Sequence, residues 1–184
     1  MGRFEFERFN GFARRELDDL LFEDFWNHDI FNERDMHGAA YHYIREYCRR
    51  TERDDVYVRC EPLLNGMRPD IVLYEKGDPI YLLEFKMFTK PDYINEDAVY
   101  IDLDKLKKVV TSCDSVWWAF FHMIYDCDEP YSYSNSRLRR AGYESISVIT
   151  MNARRKEETA RRRVGYDEWR AQFDRLRTLH NEYA

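Results

Sequence analysis

At residue 55 the apolar side chains change their spacing, and that change constrains the fold more than any other feature of the chain. Segments 56–64, 67–75 and 79–88 are short and rich in Val, Ile, Leu, Tyr and Phe. Asn65-Gly66 and Lys76-Gly77-Asp78 separate them, and such residues accept the positive φ angles of tight hairpin turns. The pattern predicts three antiparallel strands joined by tight turns.

Helical spacing lies on either side. Residues 3–26 carry Phe12, Leu17, Leu20, Leu21 and Phe25 on one side, which predicts an N-terminal helix. A second helix opens at Asn32, with Asp35 three residues on in the capping-box position, and its apolar stripe runs Met36, Ala40, Tyr43, Ile44, Tyr47. Residues 102–111 predict a short helix capped by Asp102, with Leu103, Leu106, Val109 and Val110 on one side. The run 116–125 is too apolar for a surface strand and is expected to be a buried, central one. A short helix is expected at 136–141, a fifth strand at 144–151, and a basic connector at 153–164. A final amphipathic helix within 165–184 carries Tyr166, Trp169, Phe173 and Leu176. The order predicts a single α/β domain over 1–184, a mixed central sheet flanked by helices.

Composition narrows the class. Aromatic residues make up 16% of the 184, which excludes a disordered chain. The longest apolar run, 116–125, is about half of a membrane span and contains His122. No charged-then-apolar leader opens the chain, and Cys48, Cys60, Cys113 and Cys127 form no CxxC pair, so an intracellular protein with reduced thiols and no zinc site is expected. The net charge of -6 argues at first against a nucleic-acid partner. That sum mixes two parts: residues 1–130 hold 17 Lys+Arg against 28 Asp+Glu, and residues 131–184 hold 12 against 7.

One cluster stands above this background: Arg68-Pro69-Asp70 on the second predicted strand and Glu84-Phe85-Lys86 on the third. Residues two apart on a strand share a face, so Glu84 and Lys86 project together and Phe85 points away. Charges on a core strand need a reason, because burying an unpaired carboxylate or ammonium is costly. Ordinary hairpin register brings Asp70 towards Glu84. Two carboxylates suit Mg²⁺, a hard cation that keeps several waters, and a lysine beside it can stabilise phosphate charge or orient water. The alternative is a Glu–Lys pair satisfying itself on a sheet edge, with Asp70 in a turn.

These residues resemble the PD-(D/E)XK nuclease superfamily, with Pro69-Asp70 matching the PD and Glu84-Phe85-Lys86 the (D/E)XK. The resemblance covers about residues 32–151 and implies a restriction-endonuclease-like αβββαβ core, with the N- and C-terminal helices as additions. It further implies Asp70 and Glu84 as metal ligands, the backbone carbonyl of Phe85 as a third, and Lys86 as the catalytic lysine. Many members add a glutamate from the helix before the first core strand. Glu33 lies three, seven and eleven residues before Met36, Ala40 and Ile44, on the inward face, whereas Glu46 falls off that stripe and reads as solvated. His37 shares the Glu33 face and reads as a packed or hydrogen-bonded core histidine, the lesser alternative being a role towards phosphate or a metal-bound water.

The implied activity is Mg²⁺-dependent endo- or exonucleolytic hydrolysis of phosphodiester bonds, with Mn²⁺ as a substitute and DNA as the substrate ahead of RNA. Arg68, Lys90, Lys105, Arg137, Arg139 and Arg140 are candidates for contacts with nucleic acid, Lys105 being equally readable as part of a solvated helix face. Several relatives act as dimers, so monomer and homodimer both stay open. The rival expectation is a nuclease-fold module that binds nucleic acid or assembles without cutting. Because the first 130 residues are acidic, tight binding of nucleic acid is expected to require a divalent ion.

Overall fold

The computed structural model describes residues 5–89, 96–113, 116, 118–125, 143, 145–152 and 166–183. The N-terminal apolar stretch is helical, as its spacing predicts, but not as one uniform helix. Helix α1 (Phe6–Gly11) passes through a π-helical segment, Phe12–Glu16, into α2 (Leu17–Trp26). Its buried residues include Phe9, Ala13, Leu17, Leu21 and Phe25, spaced by four throughout. On an α-helix such spacing drifts by about 40° per step, and one wider turn returns the stripe to the core.

Helix α3 (Glu33–Arg50) starts where its cap predicts: the Asn32 side chain accepts from Asp35 N at 3.0 Å, and Asp35 accepts in return from Phe31 N at 2.9 Å. Strands β1 (Val56–Cys60), β2 (Ile71–Glu75) and β3 (Asp78–Phe88) form the antiparallel meander. Two boundaries differ from expectation. β1 ends at Cys60 because Glu61 takes φ 46°, and Pro62 follows it; β2 begins only at Ile71. Between them Leu64 and Met67 make an isolated bridge around Asn65-Gly66, whose φ values of 51° and 77° are those of a tight turn. Asp70 therefore precedes the strand.

Helix α4 (Glu96–Ser112) begins six residues before Asp102, so Asp102 lies inside the helix and is not its cap. Strand β4 (Trp118–Tyr125) pairs parallel with β3, and β5 (Ile146–Asn152) pairs parallel with β4. The result is a five-stranded mixed sheet in the order β1-β2-β3-β4-β5. β4 is interior and buried on both faces, as its composition predicts, and β3 is the middle strand.

Side-chain alternation divides the core into two layers. Ile71, Leu73, Leu83 and Phe85 face α1–α3, while Val72, Leu82, Phe121 and Met123 face the Leu103, Leu106 and Val109 side of α4. Helix α5 (Tyr166–Tyr183) joins the first layer through Trp169, which stacks on Trp26 at 4.9 Å and donates Nε1–H to the Trp26 carbonyl at 2.7 Å. The expected helix at 136–141 and connector at 153–164 lie outside the described residues. No helix among the described residues is long and apolar enough to cross a membrane.

Candidate active site

Ordinary register from the turn would set Asp70 opposite Leu83, but a one-residue shift between Leu73 and Tyr74 places Ile71 opposite Leu83, so the next residues outward, Asp70 and Glu84, meet at the end of the ladder. β3 runs on beside β4 to Phe88, and beyond Leu83 its other edge has no strand among the described residues. The Asp70 carboxylate fills that gap: Phe85 N donates to Asp70 Oδ2 at 2.8 Å, and Asp70 N donates to Glu84 Oε2 at 3.3 Å. The Asp70 carbonyl accepts from Glu61 N at 2.9 Å, tying the β1–β2 loop to the same point. Both acids are buried, Asp70 7% and Glu84 1% exposed, although an apolar pair would fill this space at lower cost.

Lys86, two residues after Glu84, projects to the same face. Its Nζ lies 3.2 Å from Glu33 Oε2 and 2.8 Å from Asp102 Oδ2, and Met87 N donates to Glu33 Oε2 at 3.3 Å. Glu33 thus reaches the strand from the first turn of α3. One turn on, His37 Nε2 lies 3.2 Å from Asp70 Oδ2. From the opposite layer, α4 contributes Asp102 and Lys105. The Lys105 ammonium contacts Glu84 Oε1 directly and lies 4.0 Å from Asp70 Oδ1 and 3.7 Å from Asp102 Oδ1.

The electrostatics follow from burial and this inventory. Burial alone would raise the Asp70 carboxyl, but His37, the Phe85 N–H and Lys105 together hold it below the usual aspartate range. Burial and then the Asp70 charge push Glu84 up to about 9, against the pull of Lys105. Burial disfavours the charged forms of Lys86 and Lys105, yet both are raised: Lys86 by Asp102 and Glu33, Lys105 by Glu84, Asp70 and Asp102. Glu33, Asp70, Glu84 and Asp102 against Lys86 and Lys105 leave a formal excess of two negative charges.

Among the described residues no three His, Cys, Asp or Glu side chains are gathered as ready ligands for an ion. Two carboxylates and one carbonyl are nonetheless suitably placed. A residue's N–H and C=O leave the same edge of a strand, so the Phe85 carbonyl faces the edge on which its N–H meets Asp70. Oxygen donors and a negative excess fit a hard divalent cation such as Mg²⁺.

The structure brings together Glu33, Asp70, Glu84, Phe85 and Lys86. Glu46 is on the outside of α3, paired with Arg49. Arg68 is exposed and donates to the Glu61 carbonyl at 3.2 Å, bracing the loop before Asp70. Lys105, weighed as a phosphate contact or a solvated residue, is neither in this arrangement; its ammonium is bound to the carboxylates. Lys90, Arg137, Arg139 and Arg140 lie outside the described residues. Sequence reasoning missed Asp102, taken as a cap, and the engagement of His37 with Asp70. The available signal for α4 was an acid–base pair three apart, flanking the buried positions Leu103 and Leu106.

Comparison with protein-family models, curated proteins and solved structures gives no match for this chain.

Proposed function

We propose that this protein is a divalent-metal-dependent nuclease with a restriction-endonuclease-like core, hydrolysing phosphodiester bonds in DNA. The observation that carries the reading is the meeting of buried Asp70 and Glu84 where β2 stops, with Lys86 beside them on the same strand face. The order α3-β1-β2-β3-α4-β4 supports it, since it is the αβββαβ order the motif implies.

Mg²⁺ or Mn²⁺, when bound, supplies Lewis-acid polarisation of the phosphate and makes water more acidic. Asp70 and Glu84 would hold the ion, with the Phe85 carbonyl beside them. His37 and the Phe85 N–H both engage Asp70 Oδ2, which fixes the carboxylate and leaves Oδ1 turned into the site. Lys86 holds a positive charge where the attacked phosphate gains negative charge, and Glu33 and Asp102 keep its ammonium from wandering. Glu33 and Asp102 are positioning residues in this scheme.

The test is a cleavage panel of duplex, junction, flap, single-stranded DNA and RNA with Mg²⁺, Mn²⁺ and excess chelator, with Lys86→Ala as control. Metal-dependent cleavage lost in Lys86→Ala is the expected result; wild-type cleavage that survives chelation overturns the mechanism. A second reading, a nuclease-fold module that binds or assembles without cutting, is favoured by one observation: Lys105 already neutralises part of the acidic site. No cleavage of any substrate, with nucleic-acid affinity equal in Mg²⁺ and chelator, would select it.

A further inference from the structure

The two acids at the centre of the site each have one oxygen anchored by backbone and one turned inward. Asp70 Oδ2 accepts from Phe85 N and Glu84 Oε2 accepts from Asp70 N. The inward oxygens, Asp70 Oδ1 and Glu84 Oε1, both face the ammonium of Lys105. Lys86 is differently placed, bound on its far side by Glu33 and Asp102. The two lysines therefore have separate tasks. Lys86 lies beside the carboxylate pair, and Lys105 lies between the pair's two inward oxygens, where a cation shared by them would have to sit.

We propose that Lys105 is a resident counter-cation that a divalent ion displaces, so that metal binding ejects a lysine ammonium from the Asp70–Glu84 gap towards solvent. The inference rests on the metal-dependent reading above and adds a coupling to it. Asp70 and Glu84 together carry two formal negative charges when both are ionised; one ammonium balances one of them, whereas a divalent ion balances both. The lysine enters on a long flexible stem from α4, a layer separate from the strands that hold the acids, so it can leave without disturbing either carboxylate. Asp102, three residues earlier on the same helix and 3.7 Å away, is a further carboxylate partner for the ammonium as it leaves the gap. From there it is available to a phosphate oxygen. The acidic site would then change from repelling a polyanion to attracting one in a single exchange, with both the ion and the freed lysine contributing.

Two measurements on the full chain test this without reference to turnover. In the first, lysine acylation of the wild type is followed residue by residue by mass spectrometry, in chelator and in saturating Ca²⁺ or Mn²⁺. Lys105, with its side chain 17% exposed, should be protected in chelator and become several-fold more reactive with metal, while Lys86 stays protected in both. In the second, Mn²⁺ affinity is measured from the free-ion paramagnetic resonance signal. Lys105→Met should bind ~10-fold tighter than wild type, because the ion no longer has to displace an ammonium hydrogen-bonded to Glu84. Wild type that binds Mn²⁺ while Lys105 stays protected, or a Lys105→Met variant that binds no tighter, overturns the exchange and leaves the metal reading intact. No Mn²⁺ binding by either protein overturns both.

Discussion

Glu84→Gln separates a site built around a trapped proton from an ordinary ion pair. The Glu84 carboxyl is pushed up to about 9 by burial and by Asp70, against an ordinary value of 4.5. The native state therefore binds this proton more tightly than the unfolded chain does. Its contribution to stability is fully present below about pH 4.5 and is lost as pH rises towards 9. Each pH unit in that window is worth ~1.4 kcal/mol, so between pH 6 and 8 the wild type should lose ~2–3 kcal/mol relative to Glu84→Gln. The amide is nearly isosteric and cannot ionise, and the other titrating groups largely cancel in the difference. The assay is urea unfolding of both proteins in chelator at pH 6, 7 and 8. A difference constant within ~0.5 kcal/mol over that range would refute the reasoning, since it would mean the acid ionises as freely in the fold as outside it. Saturating Mg²⁺ should flatten the slope, because a cation then replaces the proton.

Other outcomes follow from the same contacts. Lys86→Ala should lower the cleavage rate by at least ~10²–10³-fold under conditions where denaturation shows the variant still folded, with a lowered unfolding midpoint because Glu33 and Asp102 lose their shared ammonium; plasmid nicking and denaturation on one preparation read both. Divalent ion at a hundred times its dissociation constant should stabilise the native state by ~2.7 kcal/mol, and a melting temperature unmoved by Mg²⁺ or Mn²⁺ would count against any specific ion site. Trp169→Ala removes the stacking on Trp26 and the donor to its carbonyl and should destabilise by ~3–5 kcal/mol in urea unfolding. Asn32→Ala should cost ~1 kcal/mol through the lost cap of α3, seen as a lowered melting temperature.

The sequence by itself determined what depends on neighbours along the chain. The change from helical spacing to short β-rich runs placed the strands, and Lys76-Gly77, with φ of 55° and 96°, closed the β2–β3 hairpin; the one-residue register shift between Leu73 and Tyr74, which sets Asp70 against Glu84, had no signal in the turn. The apolar stripe of α3 picked Glu33 over Glu46, because helical phase alone says which carboxylate faces inward. Where strands stop was less legible: the expected strand ran on to residue 64 across Pro62, and the left-handed backbone at Glu61 ends the ladder at Cys60. The tertiary structure alone decided the contacts between layers. Asp102 and Lys105 read locally as a cap and a surface lysine, and their meeting with Lys86 and Glu84 follows from how α4 lies across the sheet. His37 likewise became a partner of Asp70 only when α3 packed over the end of β2. The carboxylate pair is a product of a one-residue shift within the hairpin, which the turn residues do not specify. The ammonium that faces it comes from a separately packed helix, and no local pattern encodes how that helix and the sheet come together.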